Sequence, residues 1–227
     1  MHPLDNVIWN ALTTKQAHLG TTNHAAGKFL REVSLLGALA EPTGEAYESL
    51  LALLRTNERV GLFLDETPQP SPPLKLVRSG PLLQMVHEHI PRVENPKERP
   101  AFLPLGRADV PHMLALTQLT KPGPFGERTH EMGEYWGIRQ NGELIAMAGE
   151  RLRLPGFTEV SAVCTHPDHL GRGYATALIT MLVQRIRSRG EQPFLHVLPE
   201  NTRAVCLYEY MGFHKRALRQ YVILERK

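Results

Sequence analysis

Residues 161–213 constrain the fold more than any other part of the chain. They read SAVCTHPDHLGRGYATALITMLVQRIRSRG and then EQPFLHVLPENTRAVCLYEYMGF. Ser161 to Thr165 lean β-branched and alternate weakly, as a strand does. His166-Pro167-Asp168 breaks that strand. Leu170-Gly171-Arg172-Gly173-Tyr174-Ala175 is a tight turn opening a helix. From Ala175 onward Leu178, Ile179, Leu182, Val183 and Ile186 recur at helical spacing, and Gly190 ends the run. Phe194 to Leu198 is a short apolar strand, Pro199-Glu200-Asn201 interrupts it, and Thr202 to Met211 is a short helix stopped by Gly212-Phe213.

A strand, a glycine turn and a helix in that order form a place for phosphate. The first amides of a helix lack partners within it and carry about half a positive charge between them. Glycines at 171 and 173 remove side-chain bulk and admit left-handed backbone angles. A diphosphate fits on the amides of residues 171–176, and Arg172 can add charge. Taken alone, two glycines read equally well as a plain turn.

The two halves together resemble the core of the GCN5-related N-acetyltransferase (GNAT) superfamily, and its FR47-like branch in particular. The acetyl-CoA loop of that family, Q/R-x-x-G-x-G/A, is filled by residues 170–175, with Leu170 in place of Gln or Arg. Its later signature is matched by Asn201, Ala204, Tyr208, Gly212 and Phe213. The resemblance covers Ala101 to Lys227. It implies a mixed, mostly antiparallel α/β sheet flanked by helices. It also implies two neighbouring strands, 157–165 and 194–198, that splay to admit the pantetheine arm. Val163, Cys164 and Thr165 then offer a strand edge, and Leu170, Gly171, Arg172, Gly173, Tyr174, Ala175 and Thr176 hold the diphosphate. Asn201 contacts the cofactor or simply caps its helix. Tyr208 protonates the departing thiolate or packs on the sheet. A phenol of pKa ~10 suits a thiolate of pKa ~8.5. Tyr210 is expected to be structural. Glu159 is the first choice for a general base acting through water, and Glu150 the second. Phe125 to Gly133 and Tyr135-Trp136 are expected to build the acceptor pocket. Glu127, Glu131 and Glu134 read by default as a solvated loop.

The reaction implied is transfer of an acetyl group from acetyl-CoA to the amine of a small molecule, amino acid or peptide. A non-catalytic acetyl-CoA sensor or interaction protein is the alternative. Other readings of the glycines fail. A Rossmann site needs glycine at 176, where Thr176 stands, and a P-loop needs Gly-Lys-Ser/Thr. His166 with His169, or His112 with His130, lacks the helical or Cys-rich spacing of a metal site, so no metal is expected.

The rest of the chain says less. A formal charge of +3 does not suggest nucleic acid. The apolar runs are too short to span a bilayer, and the N-terminus has no basic region followed by an apolar core, so a cytoplasmic location is expected. Cys164 and Cys206 read as buried thiols in a reducing compartment. Residues 1–95 alternate helix and strand. A helix is expected at Val7–Leu12, a strand within Phe29–Leu39, a helix at Glu45–Leu54, strands at Val60–Leu64 and Leu74–Val77, and a helix at Pro81–His87. This reads as a smaller N-terminal α/β domain, either a degenerate acetyltransferase half or a packing domain, that binds no CoA and roofs the acceptor site. Pro91 to Pro100 reads as its linker to a domain at 101–227. A chain beginning near Glu94 is then expected to keep acetyl-CoA binding. In that second part, Ala101–Leu105 is expected to be a strand, with Asp109 capping a helix. Tyr135–Gln140 and Glu143–Arg153 form a hairpin across Asn141-Gly142. A last strand is expected over His214–Leu224.

Overall fold

A computed structural model describes residues 2–88 and 100–227. Residues 91–99 of the expected linker lie outside this range. The helices are α1 (Val7–Leu12), α2 (Gly44–Leu53), α3 (Val110–Thr120), α4 (Tyr174–Ser188) and α5 (Thr202–Tyr210). The strands are β1 (Gly20–Thr22), β2 (Ala26–Phe29), β3 (Gly37–Leu39), β4 (Arg59–Leu64), β5 (Leu74–His87), β6 (Leu103–Leu105), β7 (Tyr135–Gln140), β8 (Glu143–Leu154), β9 (Phe157–Thr165), β10 (Gln192–Val197) and β11 (Phe213–Arg226).

The main sheet has eight strands in the order β4-β11-β5-β10-β9-β8-β7-β6. Every neighbouring pair in it is antiparallel except β9 and β10. This is the expected mixed α/β sheet. The Asn141-Gly142 turn joins β7 to β8 with both residues at positive φ, 51° and 85°, the angles a two-residue hairpin turn demands.

Side chains alternate across the sheet and so sort its two faces. Leu195 and Val197 of β10 join Ala146 and Ala148 of β8 under α4, with Leu178, Ile179, Leu182, Val183 and Ile186. The intervening Phe194 packs with Leu152, Leu154 and the α1 residues Ile8 and Leu12 on the opposite face. Further along that second face, α3 lays Met113 and Leu116 on Tyr135, Met147 and Cys164.

Three expectations for the N-terminal part need correction. The apolar run Phe29–Leu39 is not one strand, because a turn at 30–36 divides β2 from β3 in a small three-stranded sheet. Pro81–His87 is not a helix but the second half of β5. This segment is paired on both edges and buried from Leu82 to His87, so its apolar residues show no alternation to betray a strand. The expected boundary near residue 95 is also crossed by the main sheet. Strands β4 and β5 come from before it, and β5 lies between β10 and β11. The separate N-terminal layer consists of α1, α2 and the three-stranded sheet.

Candidate active site

The ladder between β9 and β10 is short. It pairs Gln192 with Phe157, Pro193 with Thr158 and Phe194 with Glu159, and then stops. Beyond this point β10 continues along β5 through Val197, while β9 continues along β8 to Thr165. The edge of β9 that includes Val163, Cys164 and Thr165 therefore has no strand beside it among the described residues. An unpaired edge is where an extended ligand can complete a ladder.

A bulge shapes this edge. Met147 pairs with Cys164 and Gly149 with Ser161, so β9 carries one residue more than β8, and Ala162 takes φ 51°. An alanine at such an angle costs on the order of 1–2 kcal/mol. Strain of this kind persists only where the surroundings enforce it. Nothing in the sequence announced it. The Cys164 side chain turns into the α3 cluster, and burial pushes its thiol up to about 11. Only its backbone can serve a ligand.

At the end of β9 the chain makes the expected glycine turn. Gly171 and Gly173 have φ 76° and 77°, and Gly173 is the N-cap of α4. The Leu170 amide bonds to Pro167 O and the Ala177 amide to Gly173 O. Between them the amides of Gly171, Arg172, Gly173, Tyr174, Ala175 and Thr176 have no backbone acceptor among the described residues. Leu170, Arg172 and both glycines are solvent-exposed. A β-carbon built on Gly173 meets no atom of the described residues within 4 Å. That space is open to a ligand, and Val would fill it. Gly173→Val is expected to abolish the rise in melting temperature expected of the native protein with acetyl-CoA. The left-handed angle costs the free protein about 1–2 kcal/mol for an ordinary residue and more for β-branched Val, so the variant's own melt is read first. Melting curves with and without acetyl-CoA check this, and an undiminished rise in a folded variant excludes the loop.

The α5 side holds Asn201 and Tyr208. Asn201 Oδ1 accepts from the Ala204 amide at 3.2 Å, so it caps α5. The Tyr208 ring packs edge-on to Phe213, 5.9 Å between centroids, against the cluster under α4. Burial pushes its phenol up to about 12. Tyr210 is 64% exposed, outside the core. Cys206 is also exposed, which corrects the expectation of a buried thiol.

Glu159 is not available as a general base. It is fully buried and accepts from Arg151 Nε at 2.9 Å, Arg151 Nη2 at 2.6 Å, the Leu152 amide at 3.3 Å and His196 Nδ1 at 2.7 Å. Desolvation alone raises a carboxylic pKa, but Arg151 and His196 outweigh it and hold the group at about 2. Because Gln84 Nε2 lies 3.1 Å from His196 Nε2 and can only donate, His196 carries its proton on Nδ1. Glu150 is equally occupied: it is buried and bonded to Arg189 at 2.6 Å, with Arg153 at 3.7 Å. The sequence placed both carboxylates on the sheet but gave no sign of the cations that neutralise them.

The loop between α3 and β7 is fastened to the N-terminal layer. The Arg128 amide donates to Glu32 O at 3.0 Å and Thr129 Oγ1 to Val33 O at 2.6 Å. Of its acids, Glu131 pairs with Arg128 and Glu134 with Arg185 of α4. Under this loop lies a cavity of about 20 Å³ reaching Tyr135, Arg151, Ser161 and Ala162. No group of three or more His, Cys, Asp or Glu able to hold a metal occurs among the described residues. Nor is any helix among them long and apolar enough to cross a membrane.

An open strand edge running into a helix N-terminus is the arrangement that the resemblance to the GNAT superfamily implied. The sequence matches the FR47-like protein family over residues 135–222. A crystal structure of a GNAT-family protein from Novosphingobium aromaticivorans is 35% identical over the whole of both chains, with a TM-score of 0.90. A GCN5-related N-acetyltransferase from Kribbella flavida shares the fold, with a TM-score of 0.62 at 16% identity over 97% of this chain and 96% of that one. The ribosomal protein bS18-alanine N-acetyltransferase of Escherichia coli is 28% identical over 122 residues, 51% of this chain and 82% of that protein. The chain belongs to the GNAT superfamily of N-acetyltransferases, in its FR47-like branch.

Proposed function

We propose that this protein transfers the acetyl group of acetyl-CoA directly to a primary amine while both are bound. The observation that carries this reading is the open β9 edge at Val163–Thr165, leading to the unpartnered amides of residues 171–176. The pantetheine amides pair with that edge, and the diphosphate rests on the loop and helix amides, with Arg172 beside it. The amine nitrogen attacks the thioester carbonyl, the new C–N bond forms and the C–S bond breaks. The thiolate takes a proton from Tyr208, which is then reprotonated from solvent. With Glu159 and Glu150 both locked in ion pairs, the acceptor's proton leaves to water. The products are the acetamide and free CoA. Residues of the N-terminal layer form one wall of the acceptor site through their bonds to the loop at 126–129.

Two measurements on the purified full-length chain test the reading. Acetyl-CoA is expected to raise the melting temperature, since saturation to 100 times Kd adds about 2.7 kcal/mol. A panel of primary amines is expected to include acceptors that release CoA thiol. No acetyl-CoA shift at any concentration sinks the proposal. A shift with no thiol release on any amine is the behaviour of an acetyl-CoA sensor.

A further inference from the structure

The cavity beneath the loop between α3 and β7 has polar walls that the transfer chemistry leaves unused. Tyr135 is only 2% exposed, yet its hydroxyl has no hydrogen-bond partner among the described residues. A buried hydroxyl without a partner costs on the order of 1–3 kcal/mol, so its persistence points to a ligand. Its ring is fixed from below and from the side. A β-carbon at Gly149 would lie 2.2 Å from Tyr135 Cδ1, and Phe125 packs edge-on at 5.6 Å.

Arg151 lines the same cavity. Its Nε and Nη2 are committed to Glu159, and its Nη1 donates to no described residue. Glu159 is itself bound to His196, so the guanidinium is held rigid and offers one free edge. Ser161 and the strained Ala162 complete the wall, which places the cavity beside the β9 bulge. At about 20 Å³ the space admits roughly one oxygen-sized group, the end of an acceptor and not its body.

We propose that this cavity binds one oxygen of a carboxylate on the acceptor, through Arg151 Nη1 and the Tyr135 hydroxyl, so that the acceptor is a small amino acid. This rests on the acetyl-transfer reading above. A guanidinium and a hydroxyl lining one cavity favour an anion over a neutral carbonyl. The clamp of Arg128 and Thr129 onto Glu32 and Val33 closes the loop over this side. A β-carbon at Gly126 would already lie 2.9 Å from Glu32 O, so the loop and the N-terminal layer are in tight contact. A free amino acid fits such a closed end, whereas the N-terminus of a protein needs a channel for the chain that follows.

The test compares free α-amino acids, their α-carboxamides and short peptides as acceptors, by thiol release from acetyl-CoA. Acids are expected to exceed the matching amides and peptides by 10-fold or more in kcat/KM. Arg151→Gln would strand Glu159 without its main partner and can fail to fold, so Tyr135→Phe is the decisive variant. It keeps the ring on Gly149 and is expected to raise KM for the acids about 10-fold, with kcat and the acetyl-CoA melting shift little changed. The acid-over-amide ratio should fall by the same factor. Equal use of acids, amides and peptides overturns the subsite, and so does a ratio that Tyr135→Phe leaves unaltered. Either result leaves acetyl transfer standing, whereas loss of the acetyl-CoA shift in the native protein removes both.

Discussion

Tyr208→Phe is expected to lower turnover on the order of 10²-fold while leaving acetyl-CoA affinity unchanged, the loss typical of removing a general acid. The variant is well suited to separate chemistry from packing. The Tyr208 ring contributes its edge to Phe213 and to the cluster under α4, and Phe retains both. The hydroxyl bonds to no described residue, so its removal strands no partner. The pH dependence follows from the direction of the shift. Burial holds the phenol at about 12, above its ordinary value near 10, so the acid form is present throughout neutral and mildly alkaline solution. The rate of the native enzyme should therefore not decline between pH 7 and 10 through loss of this proton, and a decline should begin only as the pH nears 12. Steady-state rates from pH 7 to 10 on a true acceptor, measured for both proteins, decide the matter. Equal kcat for the two proteins returns Tyr208 to a packing role.

What the sequence disclosed of this site depended on local geometry. The glycine turn was legible because residues 171 and 173 must adopt positive φ, and glycine does so without penalty. The Asn141-Gly142 hairpin was legible for the same reason. Helix α4 was legible because one face is buried and the other is not. Three features depended on distant partners and left no such trace. Glu159 sits on a strand as many solvated glutamates do, and only the fold brings Arg151 and His196 to it. The free hydroxyl of Tyr135 exists because α3, β7 and β8 meet around it. Segment 81–87 contains Leu82, Leu83, Met85 and Val86, apolar on both faces, because β10 and β11 flank it and side chains cover it above and below. Periodicity cannot distinguish such a strand from a buried helix.

That last strand sets the largest effect expected here. A chain shortened to begin at Glu94 is expected not to fold, in contrast to the independence that the sequence suggested for residues 101–227. It would lack β4 and β5, and these are the two neighbours of β11 in the sheet. Strand β11 pairs with β5 from Phe213 to Arg226 and with β4 from Gln220 to Glu225, so all of its ladder hydrogen bonds would be lost. Strand β10 would keep only its three-residue pairing with β9, having lost Leu83 to Val86 on its other edge. Phe194, Leu152 and Leu154 would lose the cover of α1, and buried apolar side chains of this size contribute about 1.5–3 kcal/mol each. A few such losses are comparable to the total stability of an ordinary domain, about 5–15 kcal/mol. Tyr208 and the glycine loop lie in the retained part, but α5 leads directly into β11, so the acid would lose its support. The shortened chain is expected to be insoluble or to melt without cooperativity, and to show no stabilisation by acetyl-CoA. Circular dichroism melts with and without acetyl-CoA provide the check. A cooperative melt that acetyl-CoA shifts upward would mean that β11 can move into the place of β5 beside β10. The first 88 residues would then be an addition to a complete acetyltransferase sheet and not part of its frame.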